Sequence, residues 1–155
     1  MKKNYFILFL IFIIITSLSL NSNAKEINLT LEVANKIANK AFECAKTKGI
    51  KISVAIVNNE GNLILFNRGE NSYVGSIEAA INKAKASNAF KRPTSAFTQA
   101  IKNGRIELLS IKEIIAVEGG VPIIIDNNHF GAIGISGGKS VEDEECALKS
   151  LEVLY

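Results

Sequence analysis

The pattern of apolar and polar positions along this chain predicts four helices, which alternate with short strands. The predicted helices cover residues 30–49, 72–92, 94–102 and 141–154. Thr30 and Gly49 are residues that typically cap the start and end of a helix, and Thr94 is a plausible N-cap for the third. Pro93 ends the second helix, because the residue before a proline avoids helical geometry.

Short runs of apolar, mostly β-branched residues between turn residues predict the strands. The predicted strands cover residues 52–57, 62–67, 114–117, 121–125 and 130–135. Tight turns such as Asn58-Asn59-Glu60-Gly61 imply antiparallel pairing. The pattern does not decide whether residues 106–111 form a helix or a strand. The predicted helices, which lie at both ends and in the middle of the chain order, must cover the sheet. We therefore expect one α/β domain with an antiparallel sheet of about five strands flanked by helices.

The first 24 residues have the three-part pattern of a secretory signal. Lys2 and Lys3 precede an unbroken apolar run at 5–15, and Ser22-Asn23-Ala24 supplies small residues at a cleavage site. The alternative, a membrane-spanning helix, needs about 20 apolar residues, and this stretch is shorter and interrupted by hydroxyl side chains. We expect residues 1–24 to be cleaved and residues 25–155 to form one exported domain. That domain would be periplasmic or extracellular, with no stable membrane anchor.

Charge and cysteine content narrow the choice of partner and compartment. Without the two signal lysines the net charge falls from +3 to +1, so the composition does not indicate a nucleic-acid partner. Export permits a disulfide, but Cys44 and Cys146 lie in helical patterns at opposite ends of the chain. We expect both to be reduced and buried as small apolar side chains.

Few residues are available for catalysis or metal binding. His129 is the only histidine and lies in a predicted turn, so a Ser-His-acid triad would have to use it. Zinc needs three or four Cys, His or acidic ligands, and the two cysteines and His129 come from unrelated segments. The run Gly137-Gly138-Lys139-Ser140 resembles the end of a phosphate-binding loop, but Ile133 stands where that loop requires glycine. The acids at 142–145 are interpreted as a solvated helix start.

Several segments, in order along the chain, resemble one known family. They are Val54-Ala55-Ile56-Val57 with Gly61-Asn62-Leu63, Lys83-Ala84 with Phe90-Lys91-Arg92-Pro93-Thr94, Glu118-Gly119-Gly120-Val121-Pro122-Ile123, Gly131-Ala132-Ile133-Gly134-Ile135-Ser136-Gly137-Gly138, and Asp143-Glu144-Glu145-Cys146-Ala147. Together they are similar to the GlcG/HbpS family, which includes the C-terminal domain of PduO-type proteins. The glycine-rich pieces are specific in combination and weak alone. The resemblance covers nearly all of the chain after the signal.

This resemblance implies a profilin-like fold of α/β/α layers, a homo-oligomer, and a link to haem or a related tetrapyrrole. The ligand-binding residues expected on this basis are Lys83, Phe90, Arg92, Thr94, Gly119 and Gly120. Four cations around the second helix and its exit would pair with haem propionates, with a solvated helix face as the alternative: Lys83, Lys85, Lys91 and Arg92. Thr94 is either a helix cap or a pocket hydroxyl. Haem iron takes His, Cys, Tyr or Met ligands, which leaves Tyr73 and His129 as candidates.

The main functional hypothesis is an exported protein that binds haem or a related tetrapyrrole. The alternative is a non-catalytic oligomeric accessory or structural subunit without a ligand. A third hypothesis, an enzyme acting on a small metabolite, is disfavoured because the sequence offers no clear nucleophile and base pair.

Overall fold

The structure, a computed structural model, describes residues 29–155, so the expected signal at 1–24 lies outside the described residues. The α-helices are α1 (Leu31–Lys48), α2 (Gly75–Phe90), α3 (Ser95–Lys102) and α4 (Ser140–Ser150), and 3-10 helices cover Ile106–Ser110 and Leu151–Leu154. The strands are β1 (Ser53–Asn58), β2 (Leu63–Arg68), β3 (Gly120–Ile125) and β4 (Asn128–Ser136). Within this part of the chain, no helix combines the length and apolar character needed to cross a membrane.

The ends of α1 follow the prediction, whereas α2 begins later than predicted. The Thr30 hydroxyl accepts a hydrogen bond from a backbone N–H of the first turn at 3.3 Å, and Gly49 closes the last turn with φ 69°. The second helix begins at Gly75 rather than Ser72. The Ser72 hydroxyl does not cap a helix, because it accepts a hydrogen bond from Arg68 Nε at 3.2 Å.

One antiparallel sheet, with strand order β2-β1-β4-β3, forms the middle of the described domain. Both predicted hairpins are confirmed, as β1–β2 and β3–β4. The expectation of about five strands is wrong, because the sheet within residues 29–155 has four and residues 114–117 pair with none of them. The outer edge of β3 begins against Thr94 instead, whose N–H donates to the Gly120 carbonyl oxygen at 2.9 Å. Residues 106–111, which the sequence left open, contain the 3-10 helix.

Helices cover both faces of this sheet. Alternation along β1 places Val54 and Ile56 in the larger core, with α1 and α4, and places Ala55 and Val57 in a smaller core with α2. All four of these side chains are fully buried. The described chain therefore folds into three layers, helices on sheet on helix, which confirms the α/β class.

Small residues let α2 approach the sheet very closely. Ala55 and Ala132 pack against the helix, and a Cβ on Gly134 would lie only 2.1 Å from the Ala80 carbonyl oxygen. A side chain at position 134 would push the helix away. This close approach carries Lys83, which follows Ala80 by three residues on the same side of α2, into the interior.

A disulfide joins Cys44 of α1 to Cys146 of α4, with their Cα atoms 5.5 Å apart. The expectation of two reduced thiols is therefore wrong, although both side chains are buried as predicted. The two helices pack side by side on one face of the sheet. Their separation of 102 residues in sequence conceals this contact.

Candidate functional site

A buried ion pair links α2 to α4. Lys83 Nζ lies 3.0 Å from Asp143 Oδ2, and the two side chains are 3% and 2% exposed. The same ammonium donates to the Ile135 carbonyl oxygen at 2.9 Å, and Asp143 Oδ1 accepts a hydrogen bond from the Gly138 N–H at 2.9 Å. A solvated position was the alternative for Lys83 and the interpretation for the acids at 142–145. It is wrong for Lys83 and for Asp143, because both are buried. Each neutralises the other in the interior.

The two glycines predicted to contact a ligand lie directly beside this ion pair and the backbone of Lys83. At Gly119, where φ is 121°, a Cβ would lie 2.6 Å from the Ile135 carbonyl oxygen and 3.0 Å from Lys83 Nζ. At Gly120 a Cβ would lie 2.3 Å from the Lys83 carbonyl oxygen. These distances are short because the start of β3 lies directly against α2.

Thr94 is fully buried and holds the start of β3 in place. Its Oγ1 accepts a hydrogen bond from the Gly120 N–H at 3.0 Å, and it makes no side-chain cap for α3. The predicted helix cap is therefore wrong, because this hydroxyl bonds to the start of β3 and not to the first turn of α3.

Phe90 and Arg92 belong to an aromatic cluster at the turn between α2 and α3. The rings of Phe90 and Phe97 meet edge to face with centroids 5.2 Å apart. The Arg92 guanidinium lies 5.8 Å from the centroid of the Phe97 ring, at cation–π distance. Neither Phe90 nor Arg92 lines the large cavity beside this turn.

That cavity, of about 660 Å³, runs along the outer side of α2 between the β1–β2 turn and the segment at 112–115. Its volume falls within the range of small-molecule sites. Ala86, Ala89 and Ile115 contribute apolar walls. Three exposed lysines also line it, namely Lys85, Lys91 and Lys112. Two exposed glutamates, Glu60 and Glu113, line it as well, so the cavity combines apolar walls with a mixed-charge rim of net charge +1.

Asn88 connects two walls of the large cavity. Its side chain is buried, and Nδ2 donates to the Asn59 carbonyl oxygen at 3.2 Å, which holds the β1–β2 turn against α2. This bond also sets the orientation of the amide, since the reverse orientation would bring two oxygens together. Its Oδ1 has no hydrogen-bond partner among residues 29–155.

Neither candidate iron ligand lines the large cavity, but the charge of Lys91, which does line it, acts on His129. Tyr73 is 75% exposed and precedes α2. His129 lies in β4 rather than in a turn, and its Nε2 is buried with no hydrogen-bond partner in the described chain.

The pKa of His129 is lowered by burial and by the charge of Lys91, which lines the cavity, while a hydrogen bond with the Gly131 backbone opposes the shift. The imidazole is therefore neutral at neutral pH, the form that binds metal.

The structure divides the predicted site residues between separate places rather than one pocket. Lys83 is part of the ion pair, and around it lie Thr94, Gly119 and Gly120. The aromatic cluster contains Phe90 and Arg92, and Tyr73 is on the surface.

The sequence analysis missed Asn88 and Lys112 as cavity residues. The sequence does contain an indication of Asn88, because helical spacing from Ala84 places this polar residue on a partly buried side of α2. The sequence contains no such indication of Lys112, since its segment follows no periodic pattern.

Comparisons with known proteins agree with this fold. The model of the family described as "Haem degrading protein HbpS-like" matches residues 29–152. Protein GlcG of Escherichia coli strain K12 is 28% identical over 110 residues, which are 70% of this chain and 81% of GlcG. The crystal structure of a double mutant of Streptomyces reticuli HbpS is 29% identical, with a TM-score of 0.76 over 87% of this chain and 92% of that one. A crystal structure of a PduOC:heme complex has a TM-score of 0.74, over 81% of this chain and 94% of that one, and at 23% identity it shows a likeness of fold alone.

Proposed function

This chain belongs to the HbpS-like family, and we propose that it binds haem or a related tetrapyrrole in the large cavity along α2. The observation that carries the proposal is an apolar-walled space of about 660 Å³ whose rim holds three lysines against two glutamates, which leaves a net positive charge. A tetrapyrrole presents a broad apolar ring with carboxylates at its edge, so it needs both kinds of surface. The haem named in the family's description supports the same class of ligand.

The residues of the cavity fit the two parts of such a ligand. Lys85, Lys91 and Lys112 would pair with its carboxylates, because an ammonium–carboxylate hydrogen bond is charge-assisted. Ala86 and Ala89 would lie against the ring, since neither presents a polar side chain.

His129 is the residue that we assign to the iron. The unpartnered Nε2 and the lowered pKa of His129 both favour a neutral imidazole with an available lone pair. Because Nε2 is buried, ligation requires the side chain to expose it toward the cavity. A bound haem would supply a redox-active iron at this place.

A hemin titration followed by visible absorbance tests the proposal. Replacing Lys85, Lys91 and Lys112 together with Met should weaken binding by roughly 3–100-fold, because ion pairs of exposed side chains contribute about 0.2–1 kcal/mol each and 1.4 kcal/mol is tenfold. The matched control replaces three lysines outside the large cavity, Lys36, Lys46 and Lys102, and should keep the affinity while removing the same charge. Failure of the unaltered, folded protein to bind hemin saturably would end the proposal.

The same titration identifies the iron ligand. His129→Ala should change the spectrum of the bound iron, because His129 lies close enough to the cavity residue Lys91 to be affected by its charge. Tyr73→Phe should leave the spectrum unchanged, because Tyr73 is an exposed residue outside the cavity lining. The opposite result would transfer the role to Tyr73. A spectrum unchanged by both substitutions would show that neither residue is the iron ligand.

We also propose that the chain is exported and loses residues 1–24. The signal pattern supports this, and the Cys44–Cys146 disulfide suits an oxidising compartment. The intact mass of protein isolated from the producing cell should correspond to a chain that begins at Lys25. A full-length mass in the membrane fraction would contradict it.

A further inference from the structure

A second, smaller cavity of about 270 Å³ reaches the Lys83–Asp143 ion pair. It shares Asn82 and Ile115 with the large cavity but continues past Ile115 toward the end of β4 and the start of α4. Ala79, Ile115 and Val117 give it apolar walls, and Ser136 and Ser140 add hydroxyl groups. Nothing in the proposed tetrapyrrole site uses this space.

The ion pair beneath this cavity has hydrogen-bonding capacity left over. An ammonium carries three protons, and the described residues provide two acceptors for Lys83 Nζ, namely Asp143 Oδ2 and the Ile135 carbonyl oxygen. Asp143 receives one further hydrogen bond, from the Gly138 N–H. A buried charge is costly unless its hydrogen bonds are completed. The third proton of Lys83 therefore favours an acceptor that enters from the cavity.

Charge selects which acceptor fits. The ammonium of Lys83 is already balanced by Asp143, and the hydroxyl of Ser140 donates to the carboxylate of Glu118 at 2.8 Å just beside the cavity. An anion that entered the cavity would meet the carboxylates of Asp143 and Glu118 as well as the ammonium of Lys83. An uncharged oxygen avoids this repulsion and still accepts the proton.

We propose that the small cavity is a binding site for a small uncharged molecule that carries a carbonyl oxygen on an apolar group. The carbonyl oxygen accepts the third proton of Lys83 Nζ, and the apolar part lies against Ala79, Ile115 and Val117. No covalent step is involved. This site is separate from the tetrapyrrole site and does not depend on haem binding.

Acetamide, with acetate as its charged counterpart, tests this directly by NMR of the amide-labelled protein without hemin. Acetamide should shift the amide signals of Gly138 and Ser140 saturably, with a Kd of about 1–10 mM, the range that four non-hydrogen atoms can support. Acetate should bind at least tenfold more weakly. No saturable shift, shifts confined to Asn88 and Lys91 of the large cavity, or tighter binding of acetate would each overturn the proposal.

Two substitutions keep the test independent of the ion pair itself. Ala79→Leu fills the cavity from its half-buried wall without touching Lys83 or Asp143, and it should abolish the acetamide shifts. Ala96→Leu makes the same change at an exposed position of α3 and should preserve them. Retention of binding in Ala79→Leu would also overturn the proposal. Hemin binding by Ala79→Leu should remain, so loss of this site and loss of the tetrapyrrole site are distinguishable.

Discussion

Reduction of the Cys44–Cys146 disulfide should lower the free energy of unfolding by about 2–5 kcal/mol. The bridge closes a loop across a separation of 102 residues, so it removes many conformations from the unfolded chain. It also holds α1 and α4 together on the face of the sheet that contains the larger core. Urea unfolding with and without a dithiol reductant measures the change as a fall in the midpoint.

The control for this prediction is the double variant Cys44→Ala, Cys146→Ala. Its unfolding midpoint should be low and should not respond to the reductant, because it has no disulfide to lose. The unreduced protein, once denatured, should show no thiol that reacts with a thiol reagent. Two reactive thiols, or an unchanged midpoint on reduction, would contradict the bridge.

Replacing Lys83 with Met should destabilise the protein by about 3–5 kcal/mol, because it leaves the carboxylate of Asp143 buried without its cation. Met has a similar length and apolar stem, so the loss of packing is small. The free energy of unfolding, from urea denaturation of the oxidised protein, is the quantity to compare.

A second substitution separates charge from packing. Asp143→Asn in the Lys83→Met background removes the unpaired charge while keeping an oxygen for the Gly138 N–H, so the double variant should be more stable than Lys83→Met alone. Lys36→Met, which breaks the exposed pair with Glu32, is the surface control and should have little effect. If the double variant were as unstable as the single one, the buried charge would not be the cause.

The ion pair also explains why one helix carries so much of the candidate chemistry. Ala80 and Ala84 bring α2 close to the sheet, and Lys83 between them enters the interior to meet Asp143 of α4. The same helix also presents Lys85 and Asn88 to the large cavity. The two cavities therefore share α2 as a wall, and Asn82 and Ile115 line both of them.

Local patterns along the sequence determined the elements and the family. Apolar spacing and the caps at Thr30 and Gly49 placed α1 within a residue or two, and turn residues placed both hairpins, because these features depend on neighbours a few positions apart. The ordered glycine-rich segments identified the family for the same reason. The prediction of a strand at 114–117 failed, since an apolar run becomes a strand only if a free sheet edge is present, and Thr94 lies at the edge where β3 begins.

The tertiary structure alone decided which distant residues meet. Cys44 and Cys146 are 102 residues apart, and Lys83 and Asp143 are 60 apart, so no local spacing reports their contact. In the sequence, Asp143 is one of four adjacent acids and Lys83 one of several lysines, and both are typical of a solvated surface. Burial changed their roles, because a charge removed from water must find a partner, and only the packing of α2 and α4 on the sheet determined which partner that was.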